Sequence, residues 1–361
     1  MGLYGIRPRM RPLSVGIAAS VIAATVAVTA TSATATTTTV TLTTSPAKAA
    51  AGWLARQLVG PDRDHYAVSF NGQSFPDAGE TIDGLLGMDA AGVAQTAAHR
   101  VTLWLAANAK SYATGSGFTP GTYYPGALAK LLLAAEAQHA NVHNFGGLDL
   151  VKQLKKEEQS NGVFLNTGDS SFGSSPIDQA LALIALSHTG SYFDWPDARA
   201  IAWLVGQQCG DGGFVSSNQN SPAKTCTDVD ATAYVAQALL TVHSSAAART
   251  MRWVLSHRNS DDGYGLTSNG AASSNANSTA LAVQAIRQAG FNATAALAWL
   301  VRHQVGCKAT TARHGAITFA GTYTQPTALR ATTQAAQALA HRWLGDITDN
   351  GAIAAAPFLA C

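Results

Sequence analysis

The chain has 361 residues, 47% apolar, only 12% charged and 7% aromatic, with a formal net charge of +2. Soluble domains average about 25% charged residues, and near-neutral charge without Lys/Arg runs excludes a nucleic-acid partner, whose affinity would come from neutralising phosphates. The apolar fraction excludes disorder, and the length suffices for a large core.

Residues 1–49 have the three-part layout of an export signal. Arg7, Arg9 and Arg11 form a basic head, and an uncharged apolar stretch runs from Leu13 to about Ala30. Small-residue cleavage sites end at Ala35 and Ala49. The stretch is diluted by Ala, Thr and Ser, so a cleaved signal is preferred over a retained membrane anchor. The expected product is a secreted, monomeric single domain, 50–361, without a membrane span. The removed segment carries four basic residues and no acid, which leaves 19 basic against 21 acidic residues.

Export changes the meaning of Cys209, Cys226, Cys307 and Cys361. An even count in an oxidising compartment favours disulfides. Of three connectivities, Cys209–Cys226 with Cys307–Cys361 is preferred, closing one short loop and tying down the C-terminus.

A period of about fifty residues organises the rest. Trp53 and Trp104 are 51 residues apart, and Trp203 and Trp253 are 50 apart. The double gap between Trp104 and Trp203 contains a substituted position at Gln153, and Trp299 marks the last unit. Each unit begins with an amphipathic helix, as in ARAIAWLVGQQ (198–208), followed by a glycine turn carrying an aromatic residue. Phe164, Phe214 and Tyr264 each lie eleven residues after their marker. An Ala-rich second helix follows, clearest in DVDATAYVAQALL (228–240), NANSTALAVQAI (275–286) and ALRATTQAAQAL (328–339). Asp230 aligns with Asn277, and Thr232 with Thr279 and Thr332. Looser copies begin near Glu80, Tyr123 and Pro176. Six helix pairs without strand signals predict an all-α protein. Without polar capping repeats at the ends, closure into an α6/α6 toroid of six helix hairpins is expected.

WLVGQQCGDGGF (203–214) resembles the Gln/Trp-type repeat of squalene cyclases and protein prenyltransferases. The patterned region, roughly 50–345, resembles secreted actinobacterial proteins with prenyltransferase and squalene-oxidase repeats. This resemblance implies the α/α toroid of the terpenoid-cyclase superfamily and leaves the activity open. DVDATA is similar to the acid motif of class II terpene cyclases, which would make Asp230 the proton donor with Asp228 beside it. Ala231 departs from that motif, and a cap role for Asp230, repeated at Asn277, is the preferred reading. Zinc as in the prenyltransferases is not expected, because Cys209 precedes Asp211 and the histidines lack ligand spacing. No cofactor is expected.

Glu80, Asp83, Asp178, Asp228 and Asp230 fall at or near the starts of second helices. If those helices form one ring, the acids gather at one mouth beside Tyr123 and Tyr124. Acids also favour helix N-termini for dipole reasons alone. As a cluster, the mouth is the expected ligand site. An extracytoplasmic binding or surface-associated module, taking a small molecule, isoprenoid or glycan, is the first reading. A terpene-cyclase-like enzyme and a glycan-active (α/α)6 enzyme are the alternatives.

Overall fold

The computed structural model describes residues 40–115, 121–166, 174–190, 195–218, 221–265, 267–268 and 271–361. The expected signal through Thr39, including the site ending at Ala35, lies outside them. Twelve α-helices occur among the described residues: α1 (Pro46–Gln57), α2 (Ala78–Ala91), α3 (Gln95–Ala113), α4 (Pro125–Ala137), α5 (Leu150–Lys156), α6 (Pro176–His188), α7 (Ala198–Gly206), α8 (Val229–Thr241), α9 (Ala247–Ser256), α10 (Ala276–Gln288), α11 (Thr294–Arg302) and α12 (Gln325–Leu339).

The even-numbered helices are the Ala-rich ones, and they pack in cyclic order: α2 on α4, then α6, α8, α10 and α12, which returns to α2. Small side chains such as Ala180, Ala236, Ala280 and Ala335 are fully buried there and let the helices approach closely. The odd-numbered helices pack outside them, and all six period markers lie on these outer helices. The architecture is mostly helical and of the α/α-toroid kind.

The conserved spacing within the chain has a hydrogen-bond explanation. Thr232, Thr279 and Thr332 accept the backbone N–H groups of Phe214, Tyr264 and Ile317 at 2.8–2.9 Å, fixing each turn to the helix that follows. Thr81 does the same for Tyr66, and Gln179 for Phe164. The Trp253 and Trp299 indoles donate to Asp211 and Asp261 in the preceding turns. The repeat is therefore a device for joining neighbouring hairpins.

Short strands correct the purely helical expectation. β1 (Leu42–Thr43) pairs in parallel with β6 (Phe358–Leu359), and β4 (Thr267–Ser268) pairs with β5 (Ala271–Ala272). β2 (Ala67–Phe70) and β3 (Gln73–Pro76) form a hairpin around Asn71-Gly72, both at positive φ as a two-residue hairpin turn requires. The expected domain start at residue 50 falls inside α1, whose Ser45 cap and buried Ala47 and Ala49 precede it.

After α12 the chain crosses the C-terminal ends of the inner helices. Leu344 donates to Gln237, Asp349 to the Ala137 carbonyl, and Ile353 to the Gly92 carbonyl. Pro357 then lies so close to α1 that only glycine fits at position 52. Both expected disulfides, Cys209–Cys226 and Cys307–Cys361, are present.

Glu136, near the end of α4, has both carboxyl oxygens buried without a hydrogen-bond partner among the described residues. Burial pushes its pKa from 4.5 up to about 9. Between those values the native state holds a proton that the unfolded state has lost, so this group's stability contribution falls as pH rises. Glu136→Gln is expected to leave thermal unfolding at pH 4 unchanged and to stabilise the protein at pH 9 by on the order of 3 kcal/mol. Equal melting shifts at both pH values would refute the burial account.

Candidate functional site

A cavity of about 470 Å³ opens at the N-terminal ends of the inner helices. Asp230 and Tyr234 reach it from α8, Asn277 and Leu281 from α10, Arg330 and Gln334 from α12, and Ile177 from α6. Asn275, Phe319 and Thr327 complete the wall. Asn277 donates to Gln334 Oε1 at 2.9 Å, and Gln334 donates to the Tyr234 hydroxyl at 3.4 Å. One side is thus a chained hydrogen-bonding surface. Ile177, Leu281 and Phe319 provide an apolar strip.

The cap assigned to Asp230 belongs to Asp228. Asp228 is the residue before α8, and its carboxylate accepts from the Ala231 N–H at 3.0 Å and from Ser216 N–H at 3.2 Å. Asn275, not Asn277, caps α10 in the same way. Asp230 and Asn277 stand two residues further on, which turns both into the cavity. The alignment of the two repeats was legible; the cap fell on the wrong member of each pair because Asp and Asn occur at both positions.

Burial raises the Asp230 pKa, with Asp228 adding to the effect and the Ser278 hydroxyl opposing it. Its Oδ1 is buried without a hydrogen-bond partner among the described residues. An unpaired carboxylate oxygen is costly away from water, so the site favours the protonated acid.

A second acidic group adjoins the cavity at the first turn of α2. Glu80 accepts from Thr333 at 3.2 Å and lies 3.8 Å from the Arg330 guanidinium. Burial first, then the Asp83 charge, lifts its pKa from 4.5 to about 7, against the opposing pull of Lys130. A carboxyl so placed can give or take a proton near neutrality. Lys130 reaches from α4 to Asp83 at 2.7 Å and to the Gly79 carbonyl at 3.0 Å. Burial opposes its charge, but Asp83 more than compensates and holds it protonated.

Asp178 borders this group: burial raises its pKa, while the Ser175 hydrogen bond and the Lys130 charge oppose the rise. It lies in the first turn of α6, accepts from Ser175 Oγ at 2.8 Å, and lines a smaller cavity of about 230 Å³ with Tyr124. Tyr123 packs against the core beside it. The mouth therefore combines Glu80, Asp83 and Asp230 with two cations and an amide wall that the sequence reading missed. Lys130 carried a visible signal, a lone cation in the apolar run PGALAKLLLA. Arg330 carried none, since its significance depends on the distant Glu80. No cluster of potential metal ligands occurs among the described residues.

Solved structures of low sequence identity share this architecture. The type II terpene cyclase MstE from Scytonema matches with a TM-score of 0.55 and 13% identity, over 82% of this chain and 96% of that one. An unsaturated glucuronyl hydrolase specific for heparin gives 0.58 and 13%, over 82% and 95%. Unsaturated glucuronyl hydrolase from Bacillus sp. GL1, responsible for glycosaminoglycan degradation, gives 0.56 and 11%, over 82% and 95%. These matches place the chain among α/α-toroid folds, a class that hosts unrelated chemistries. No protein-family model matches the sequence, and no curated protein matches it.

Proposed function

We propose that this is a glycan-active α6/α6 toroid of six helix hairpins, which holds an acidic saccharide in the mouth cavity and donates a proton from Asp230 to the glycosidic oxygen as that C–O bond breaks and water adds at the anomeric carbon. The carrying observation is the cavity wall itself: a buried acid, a guanidinium and linked amides face an apolar strip. Such a wall suits a sugar, with hydroxyls against the amides, C–H faces against Phe319 and Leu281, and a uronate carboxylate against Arg330. This reading replaces the non-catalytic module, for which the fold offers no specific feature. It is also favoured over isoprenoid cyclisation. A carbocation wants aromatic walls, whereas Tyr234 and Phe319 are the aromatic residues lining the cavity among the described residues. Arg330 and Lys130 would repel the developing positive charge.

The protein is read as exported and cleaved before residue 40. A cut after Ala49 would remove β1 and the first turn of α1, whereas the site ending at Ala35 leaves both. Two disulfides suit an oxidising compartment, and no helix among the described residues is long and apolar enough to cross a membrane.

Titration of the disulfide-intact protein with a heparin-derived uronate disaccharide tests the binding step. Arg330→Ala is expected to weaken affinity about tenfold, the scale of one lost charge-assisted contact. A neutral disaccharide should lose nothing. Tighter binding of an isoprenoid than of any saccharide would sink the reading.

A further inference from the structure

A second and larger cavity, about 770 Å³, lies between the β2–β3 hairpin and α3. Its wall contains Trp104, Phe75 and Val68, together with Asn108, Tyr112 and Asp77. We propose that this cavity is a distal sugar subsite beside the mouth, so that the ligand is an oligosaccharide long enough to occupy both. The inference rests on the saccharide reading above and extends it from a single sugar unit to a chain.

Three observations carry it. The hairpin rises from the rim of the mouth, because it is inserted between Tyr66, anchored to Thr81, and Asp77, which caps α2. The Tyr66 carbonyl accepts the Asp77 N–H at 2.9 Å and closes the insertion at its base.

The two cavities lie on either side of the first turn of α2 and share no lining residue. Asp77, Ala78 and Gly79 line the distal cavity, while the next residue, Glu80, contacts Thr333 and faces Arg330 at the mouth. Lys130 bridges the same point, bonding Asp83 on one side and the Gly79 carbonyl on the other. A ligand leaving the mouth past Arg330 and Glu80 therefore arrives at Gly79 and Tyr112.

Trp104 departs, as half-buried Trp203 also does, from the part tryptophan plays at the three other marked positions of the repeat. Trp53, Trp253 and Trp299 are buried, and each indole N–H donates to an acceptor in a turn. Trp104 is half-buried and stacks on His65, with ring centres 4.8 Å apart and planes 16° apart. His65 is itself held by Asp64 at 2.7 Å. His65 thereby holds the plane of an indole that also lines the cavity. Phe75, 45% exposed, supplies a second ring from the hairpin. Two aromatic surfaces with an amide, a phenol and a carboxylate nearby match the alternating C–H and hydroxyl faces of a pyranose. A wholly apolar ligand would leave the polar members unpaired.

Calorimetric titration with a heparin-derived disaccharide and an octasaccharide decides the matter. The wild-type protein is expected to prefer the octasaccharide, and Trp104→Ala to lower the octasaccharide-to-disaccharide affinity ratio about tenfold. Phe75→Ala, on an exposed hairpin, should lower the same ratio and decides the question if Trp104→Ala does not fold. Length preference unchanged in both variants, with Arg330→Ala still weakening binding, overturns the distal subsite and leaves the mouth reading intact. Failure of both saccharides to bind the wild-type protein overturns the mouth reading and this inference with it. An isoprenoid alcohol displaced from the wild-type cavity by neither saccharide, but lost in Phe75→Ala, overturns the sugar assignment alone.

Discussion

Asp230→Asn is expected to reduce turnover of a uronate oligosaccharide by about a hundredfold to ten-thousandfold, the usual yield of a positioned acid, without lowering the melting temperature. The amide keeps the size of the carboxyl group and an oxygen for the Ser278 hydroxyl, but it has no acidic proton to give. Its effect on stability follows from the raised pKa. The native state holds the Asp230 proton to higher pH than the unfolded state does, so its ionisation costs stability once pH exceeds the ordinary carboxylate range. A permanently neutral side chain removes that cost, and the variant should melt at the same temperature as the native protein or slightly higher at pH 7. Asp228→Ala provides the contrast. It removes a helix cap and should cost about 1 kcal/mol, with substrate affinity little changed. If Asp230→Asn instead lost about as much stability as Asp228→Ala and retained turnover, Asp230 would be a structural acid and the proposed chemistry would fail.

The architecture was legible because the repeat writes its own joints into the sequence. A tryptophan or its substitute marks each outer helix, and in three units an aromatic turn eleven residues later is pinned by a threonine or glutamine of the next inner helix. Those hydrogen bonds are local, so their spacing is preserved along the chain. The β2–β3 hairpin was also available in principle. Asn71-Gly72 within AVSFNGQSFP is a hairpin turn flanked by alternating residues, but it is a single ten-residue insertion that the fifty-residue helical period does not repeat.

The site was legible only in outline. Acids at helix starts pointed to the mouth, yet the same residues serve as caps, and periodicity alone cannot separate a capping carboxylate from one two positions later. Helix rotation separates them: Asp228 turns back to the Ala231 N–H, and Asp230 turns inward to the cavity. The cations were harder to foresee. Arg330 and Glu80 come together across the closure of the ring, where α12 meets α2. Their 250-residue separation in sequence carries no periodic signal. The protonation behaviour of Glu80 depends on that long-range assembly, since burial and Asp83 raise its pKa while Lys130 lowers it.

Removing the Cys307–Cys361 bridge by a Cys307→Ser, Cys361→Ser double substitution is expected to cost about 4 kcal/mol of stability, from the entropy that a bridge of this span removes from the unfolded chain. The sequence separation is 54 residues. The separation at Cys209–Cys226 is 17, for which the same reasoning gives about 3 kcal/mol. The larger loop also has a larger structural consequence. It fastens the last residue of a segment that crosses the ends of α2, α4 and α8, pairs β6 with β1, and receives two hydrogen bonds from Arg56. Arg56 additionally lies 3.7 Å over the Phe358 ring. Because this segment covers the end of the ring opposite the cavity, the double variant should unfold at lower denaturant concentration while binding at the mouth is unchanged below its transition. Hydrogen exchange should show the loss first in β6 and the start of α1. A cost under about 1 kcal/mol would mean that the non-covalent clasp alone holds the tail. Loss of mouth binding in the still-folded variant would mean that the two ends of the ring are coupled, contrary to the separation their contacts imply.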